Sequence, residues 1–337
     1  MRAPQDPSNG PVVISRGGDA GPYQAFPDAC RLPGGDIACV FYAGYGHVSL
    51  PKAGWDRGGR LCMVRSADEG RTWSTPTTIH DGPIDDRDPH IATLRDGSVV
   101  VTFFSLAPGT GGRPYDGTGV RMIRSADGGR TFDAGPRTIA PPGWYVSAPV
   151  RPLTGRRCIL GVYSEDRGVS HGGVLLSNDH GRTWSEPIPI GKGQGVELDA
   201  ETDVIAMRDG TLYAALRSSK APMHYATSVD QGRTWSPATP IGFPGHAPHF
   251  LRLRSGEIVL AHRLPKTSVH FSRDEGRTWQ GPYGIDDVIG AYPATVELRD
   301  GTLLFVWYTE GEGSVIRARR FRRTTAGIEP LPPYPAR

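Results

Sequence analysis

Titratable side chains recur in this chain at matched distances from a set of turns. When six turn glycines or their equivalents are aligned, the position nine residues earlier reads Phe26, Asp88, Ala148, Glu201, Ala247 and Tyr292. Two residues further along come Asp28, His90, Val150, Asp203, His249 and Ala294. Seven residues after the turn come Tyr42, Phe104, Ser164, Arg217, Arg263 and Tyr308. Carboxylates and imidazoles exchange protons, phenols do so when activated, and guanidiniums grip anions with paired bonds. Residues two apart on a strand share a face. If the strands concerned are the innermost of a ring, then Asp28, Asp88, His90, Glu201, Asp203, Arg217, His249, Arg263 and Tyr292 collect around one axis. A solvated surface does not concentrate such a set. The plain alternative is a polar lining for a water-filled channel.

The ring is read from repeats. The octamer Ser66-Ala-Asp68-Glu-Gly70-Arg-Thr72-Trp73 returns at Ser125 to Phe132, Ser177 to Trp184, Ser228 to Trp235 and Ser272 to Trp279. Its Ser and Asp oxygens suit turn N–H groups and its glycine suits a positive φ, so these aspartates are assigned to folding rather than to chemistry. A second repeat interleaves with the first. Asp-Gly joins two apolar runs at Gly97, Gly210 and Gly301, with weaker copies around Gly35, Arg157 and Gly256. Asp-Gly between apolar runs is a hairpin signal.

Each unit therefore reads as strand, turn, strand, loop, strand, octamer turn, strand. Six units predict an all-β chain, a single six-bladed β-propeller over residues 1–337. The blades begin near residues 25, 87, 147, 200, 246 and 291. The last unit has no octamer, so the strand at 11–16 is expected to complete it and close the ring. The short uniform turns lie on one rim. The long loops at 43–60 and 105–119 lie on the other, where sites usually sit.

Composition narrows the function. A formal charge of +3, from 38 basic and 35 acidic residues, is too balanced for a nucleic-acid binder. Cys30, Cys39, Cys62 and Cys158 form no Cys-x-x-Cys pair, so they read as reduced buried thiols rather than zinc ligands. Asp28 and Asp88 with the histidines make no compact metal motif, and no metal or cofactor is expected. The chain has no apolar leader and no run of 18 apolar residues, so no membrane partner is expected. The expected location is cytoplasmic, or outside the cell if a leader has been removed.

The octamers are similar to the Asp-boxes of the sialidase superfamily. Glu201-Thr-Asp-Val-Ile-Ala-Met-Arg-Asp-Gly210, followed by Arg217, resembles the sialidase segment that carries the glutamate assisting the nucleophile and an arginine of the carboxylate-binding triad. Ala291-Tyr292-Pro-Ala-Thr-Val-Glu-Leu-Arg-Asp-Gly301 resembles the segment of the nucleophilic tyrosine, and Arg263 resembles a second triad arginine. The resemblance implies a glycosidase that removes an acidic sugar. A tyrosine attacks because a carboxylate nucleophile would be repelled by the substrate's own carboxylate. It also implies an acid in the first blade's long loop, where Asp56 is the best-placed carboxylate and His47 a rival. Where sialidases carry Arg-Ile-Pro, this chain has Ala25-Phe26-Pro27. Arg87, in Asp85-Asp-Arg-Asp88, holds the same repeat position one blade later and can substitute. Asp88, His90, His249, Asp203, Asp28 and His47 complete the expected substrate-binding set. Two other readings stay open: a polysaccharide lyase with a His or Tyr base and an arginine neutralising a uronate, and a carbohydrate-binding propeller without catalysis.

Overall fold

In the computed structural model, residues 10–165, 170–199, 201–287 and 292–333 are described. They form six antiparallel sheets. Blade 1 runs Tyr23–Arg31, Ile37–Gly44, Arg60–Ser66, Thr77–His80, and blade 2 runs Asp85–Thr93, Val99–Pro108, Tyr115–Ser125, Arg137–Ala140. Blade 3 has its inner strand in two pieces, Trp144–Tyr145 and Arg151–Pro152, both paired with Cys158–Ser164; His171–Ser177 and Ile188–Ile190 follow. Blade 4 is Thr202–Ala206, Leu212–Leu216, His224–Ser228, Thr239–Pro240, and blade 5 is His246–Arg252, Ile258–Arg263, Ser268–Ser272, Gln280–Gly284. Blade 6 has Ala294–Glu297, Leu303–Tyr308 and Ile316–Thr324 from its own repeat. The fold is the six-bladed propeller expected. Of the expected blade starts, those at 200 and 291 fall on or beside Ala200 and Ala291, which lie outside the described residues.

Ring closure uses both ends of the chain. Val12–Ser15 pairs antiparallel with Ile316–Thr324, matching Val12 to Ala318. The third strand of this blade runs to Thr324. Its far half pairs with Gly327–Pro330. The outer position of blade 6 is thus shared between the N-terminal strand and a C-terminal hairpin strand.

One apolar cluster sits at each junction between neighbouring blades, and the octamer aromatics explain five of the six. Trp73 packs into the junction of blades 6 and 1, Phe132 into that of 1 and 2, and Trp184 into that of 2 and 3. Trp235 and Trp279 do the same for the next two junctions. Each octamer therefore plugs the gap between its own blade and the one before. Blade 6 has no octamer, and its junction with blade 5 is filled instead by Trp307, Phe305, Phe321 and Phe271, all fully buried.

The octamer bonds are those its residue types suggest. Ser66 Oγ donates to Asp68 Oδ1 at 2.9 Å and accepts from Gly70 N–H at 2.8 Å. Asp68 also receives Thr72 N–H at 2.9 Å and the Thr72 hydroxyl at 2.7 Å. Loss of the Asp68 carboxylate costs about 1–2 kcal/mol by the usual worth of such bonds. Asp68→Ala is accordingly expected to lower the denaturation midpoint while leaving any turnover the protein shows at its wild-type kcat. A fall in kcat with unchanged stability would contradict the folding assignment.

The ladder registers separate the two rims. Ile37 faces both Arg31 and Ser66, so the octamer lies at that end of the blade. Tyr42 faces Ala25 and Leu61 at the other end. The aligned positions of the sequence therefore gather on the rim opposite the octamers.

Candidate active site

The inner strands bend where they reach the mouth. Phe26, Asp88, Ala247 and Tyr292 hold the left-handed conformation, with φ of 53°, 51°, 50° and 38°. Proline follows each of them and cannot donate to a ladder. Pairing slips there, between Ala25 and Asp28, Arg87 and His90, and His246 and His249. A left-handed non-glycine residue costs about 1–3 kcal/mol. Such bulges re-aim a side chain next to functional sites. Sequence alignment found the position but not its conformation. The recurrent Xaa-Pro was the available signal.

Glu201 is the hub of the mouth. It is 1% exposed. The Tyr292 hydroxyl donates to its Oε1. Arg217 Nη1 donates to the same oxygen at 2.7 Å, and Ala247 N–H donates to Oε2 at 2.6 Å. Burial alone would push this carboxyl up, but Arg217, Arg263, the Tyr292 hydroxyl and the Ala247 amide together hold it below its ordinary value. The Tyr292 phenol is held well above its ordinary value by burial and by the Glu201 and Asp88 charges, with Arg263 and Arg217 opposing. The Arg263 guanidinium lies over the Tyr292 ring, 5.0 Å from its centroid.

The arginines differ in their partners. Arg217 meets Glu201 and also Asp199 at 3.6 Å. Arg263 meets Glu310 at 2.8 Å. Arg87 is 5% exposed and sits near the Phe26, Tyr42 and Phe104 rings, with Asp85 at 3.8 Å and His47 Nε2 at 3.4 Å. Asp85 in turn accepts from the Tyr42 hydroxyl at 2.8 Å and from Gly59 N–H at 3.1 Å. It thereby ties the first blade's long loop to blade 2. Asp199, Glu310 and Asp85 were missed as partners by sequence reasoning. Glu310 follows Tyr308 by two residues, and that spacing was the signal for it.

The two candidates in the first long loop part company. His47 is drawn into the mouth: Tyr23 Oη lies 3.2 Å from its Nδ1, and its ring packs edge-on against Phe26. Burial, assisted by Arg87 and Arg263, lowers its pKa to about 4, so the imidazole is neutral at neutral pH. Asp56 is exposed in the loop. It is not brought together with Glu201 and Tyr292 by any hydrogen bond or ion pair described.

Asp28 and Asp203 lie deeper and are occupied by the scaffold. Asp28 accepts Ala29 N–H at 2.8 Å and, across the blade junction, Ile91 N–H at 2.9 Å. His90 Nδ1 and His249 Nε2 stand 3.4 Å and 3.2 Å from its oxygens. Asp203 accepts Val204 N–H and, from blade 5, Phe250 N–H, both at 2.7 Å, and it pairs with Arg151. Both were grouped with the substrate-binding set in sequence, together with His90 and His249. Here Asp28 with His90, and Asp203, brace neighbouring blades, while His249 of blade 5 reaches Asp28 of blade 1. Asp88 is 4% exposed and its Oδ1 has no hydrogen-bond partner. No cluster of three or more His, Cys, Asp or Glu among the described residues is arranged to hold a metal.

Comparisons with known proteins bear on the family and the fold. The BNR repeat-like domain family matches residues 64–305. A sialidase of Micromonospora viridifaciens is 23% identical over 89% of this chain and 53% of its own length, so the chain spans about half of that relative. Among solved structures, a protein of unknown function from Dyadobacter fermentans superposes with a TM-score of 0.78 at 22% identity, covering 92% of this chain and 97% of that one. The intramolecular trans-sialidase of Ruminococcus gnavus superposes with a TM-score of 0.71 at 14% identity, covering 94% and 98%. At these identities the structural likeness establishes the propeller fold.

Proposed function

Because this chain belongs to the BNR repeat-like family and has the propeller fold of the sialidases, we propose that it is a retaining glycoside hydrolase removing a terminal acidic sugar from glycans. The observation that carries the reading is the shared oxygen of Glu201, which accepts from both Tyr292 and Arg217 at the mouth.

The geometry suits that chemistry. Glu201, held ionised by its arginines, takes the Tyr292 proton as the phenol oxygen attacks the anomeric carbon. Arg217, Arg263 and Arg87 come from blades 4, 5 and 2 and offer donors to the substrate carboxylate. Arg87 supplies the cation that Ala25 does not. Loss of one charge-assisted donor pair costs about 1.5–3 kcal/mol. Arg263→Met is thus expected to raise KM for a carboxylated substrate about 10- to 100-fold. A decarboxylated analogue should show no such penalty, and equal penalties on both would remove Arg263 from carboxylate binding.

A second reading, a lyase, is favoured by one observation: a neutral His47 hydrogen-bonded to Tyr23 beside Arg87. A neutral imidazole next to a carboxylate-neutralising arginine is the equipment for abstracting a proton from a uronate. The deciding experiment is a screen of chromogenic sialosides and uronic-acid polymers. Released free sugar supports the hydrolase. An unsaturated product absorbing near ~235 nm, formed by β-elimination with a base, supports the lyase. Binding without turnover of any glycan overturns both.

A further inference from the structure

We propose that Asp88 is the general acid and base of this site, protonating the departing glycosidic oxygen and later deprotonating the attacking water. The assignment rests on the hydrolase reading and replaces the two loop candidates, Asp56 and His47.

Asp88, Glu201 and Tyr292 occupy the same repeat position in blades 2, 4 and 6. In a closed ring of six, alternate blades are spaced evenly round the axis, so equivalent positions at one rim converge on it. Asp88 and Tyr292 share the left-handed bulge conformation that re-aims side chains at the mouth. Their charges are felt mutually: Glu201 raises Asp88, and Asp88 and Glu201 both raise Tyr292 and Tyr163.

A buried carboxyl oxygen without a partner is costly, and such an atom at a functional site asks for a ligand. Asp88 Oδ1 is such an atom. Burial is the largest influence on this carboxyl. Arg87 and His90 oppose it, Glu201 and Asp85 reinforce it, and the result is a pKa of about 6. Tyr23 of blade 1 and Tyr163 of blade 3 also face this group. Glu201, across the mouth, is pushed the other way. Two carboxyls driven apart in one site mark an acid and a base. His47, whose imidazolium forms only near or below pH about 4, is not an effective acid at neutral pH, and Asp56 is exposed in its loop.

The cycle balances. The Tyr292 oxygen bonds to the anomeric carbon and Glu201 takes the phenol proton. The glycosidic bond breaks, its electron pair goes to the leaving oxygen, and that oxygen takes the Asp88 proton. In the second half Asp88 takes a proton from water, the water oxygen bonds to the anomeric carbon, and Tyr292 leaves and regains its proton from Glu201.

The test compares 4-nitrophenyl sialoside, whose leaving group needs no proton, with 3′-sialyllactose, whose leaving group does. Asparagine tolerates a left-handed backbone, so Asp88→Asn preserves the bulge; circular dichroism and the unfolding midpoint check this. Asp88→Asn should lower kcat/KM on sialyllactose about 10²- to 10⁴-fold and on the aryl sialoside less than about 10-fold. The wild-type fall in kcat/KM above pH about 6 should vanish in the variant. Equal losses on both substrates, or no loss, with wild type active would overturn Asp88 as the acid and leave the hydrolase standing. So would a selective loss on sialyllactose in Asp56→Asn instead. A wild type inactive on both substrates would overturn the hydrolase reading and this assignment together.

Discussion

Replacing Tyr292 by phenylalanine is expected to lower kcat on the order of 10³-fold or more, with little change in stability. The ring keeps its packing against Phe26 and Tyr308 and its place under Arg263, so only the hydroxyl is lost. Glu201→Gln should lower kcat about 10²- to 10⁴-fold, the usual worth of a positioned proton acceptor. It should also destabilise the fold, because an amide nitrogen would be placed against either Arg217 or the Ala247 N–H, both donors. The two variants thus separate: one loses turnover alone, the other turnover and stability. Steady-state kinetics beside chemical denaturation read this directly. If both variants retain wild-type kcat on every active substrate, the Tyr292–Glu201 pair is not the catalytic centre.

The largest loss of stability is expected at the inter-blade brace. Asp203→Ala removes the acceptor for Phe250 N–H, Val204 N–H and Arg151 at once. Arg151 is left as a largely buried charge without its carboxylate partner, and breaking a buried pair typically costs about 3–5 kcal/mol. The denaturant midpoint should fall accordingly. A shift under about 1 kcal/mol would show that the brace is no more than a surface ion pair. Asp28 makes the matching brace between blades 1 and 2. Burial opposes its ionised form, but the His249 and His90 bonds outweigh this and hold its carboxyl below the ordinary range. The sign follows. Its folded-state pKa lies below the unfolded one, so its stabilisation is complete above the unfolded value of about 4. That stabilisation is lost as pH falls through the lower folded value. Asp28→Asn should flatten this acid-side decline.

Several site features were legible because repetition makes them so. Aligning turns in a repeat protein converts sequence distance into height on a strand, and height is what puts Glu201, Arg217 and Tyr292 on one rim. The hydrogen bonds of Glu201 to the other two follow from that geometry. Repetition could not tell a residue that faces the substrate from one that faces the next blade. Asp28 and Asp203 stand two residues beyond Phe26 and Glu201 and have the same side-chain type as a ligand-binding carboxylate. Only the neighbouring blade's amides, Ile91 N–H and Phe250 N–H, reveal what they hold. Asp56 and His47 lie in one loop, and the sequence offered no way to choose between them. The packing of Phe26 and Tyr23 draws His47 inward and leaves Asp56 exposed.

By itself the sequence determined the blade count, the turn chemistry, the closing strand and the rim that bears the mouth. All of these are local or periodic properties written in Ser-x-Asp-x-Gly, Asp-Gly and alternating apolar runs. The tertiary structure decided which charges pair, which carboxyl has its pKa lowered and which has it raised, and which strand completes the outer edge beside Val12–Ser15. Those outcomes depend on burial and on distances between residues far apart in the chain. A carboxyl's proton affinity belongs to its surroundings, and blade 2 meets blades 4 and 6 only when the ring is closed.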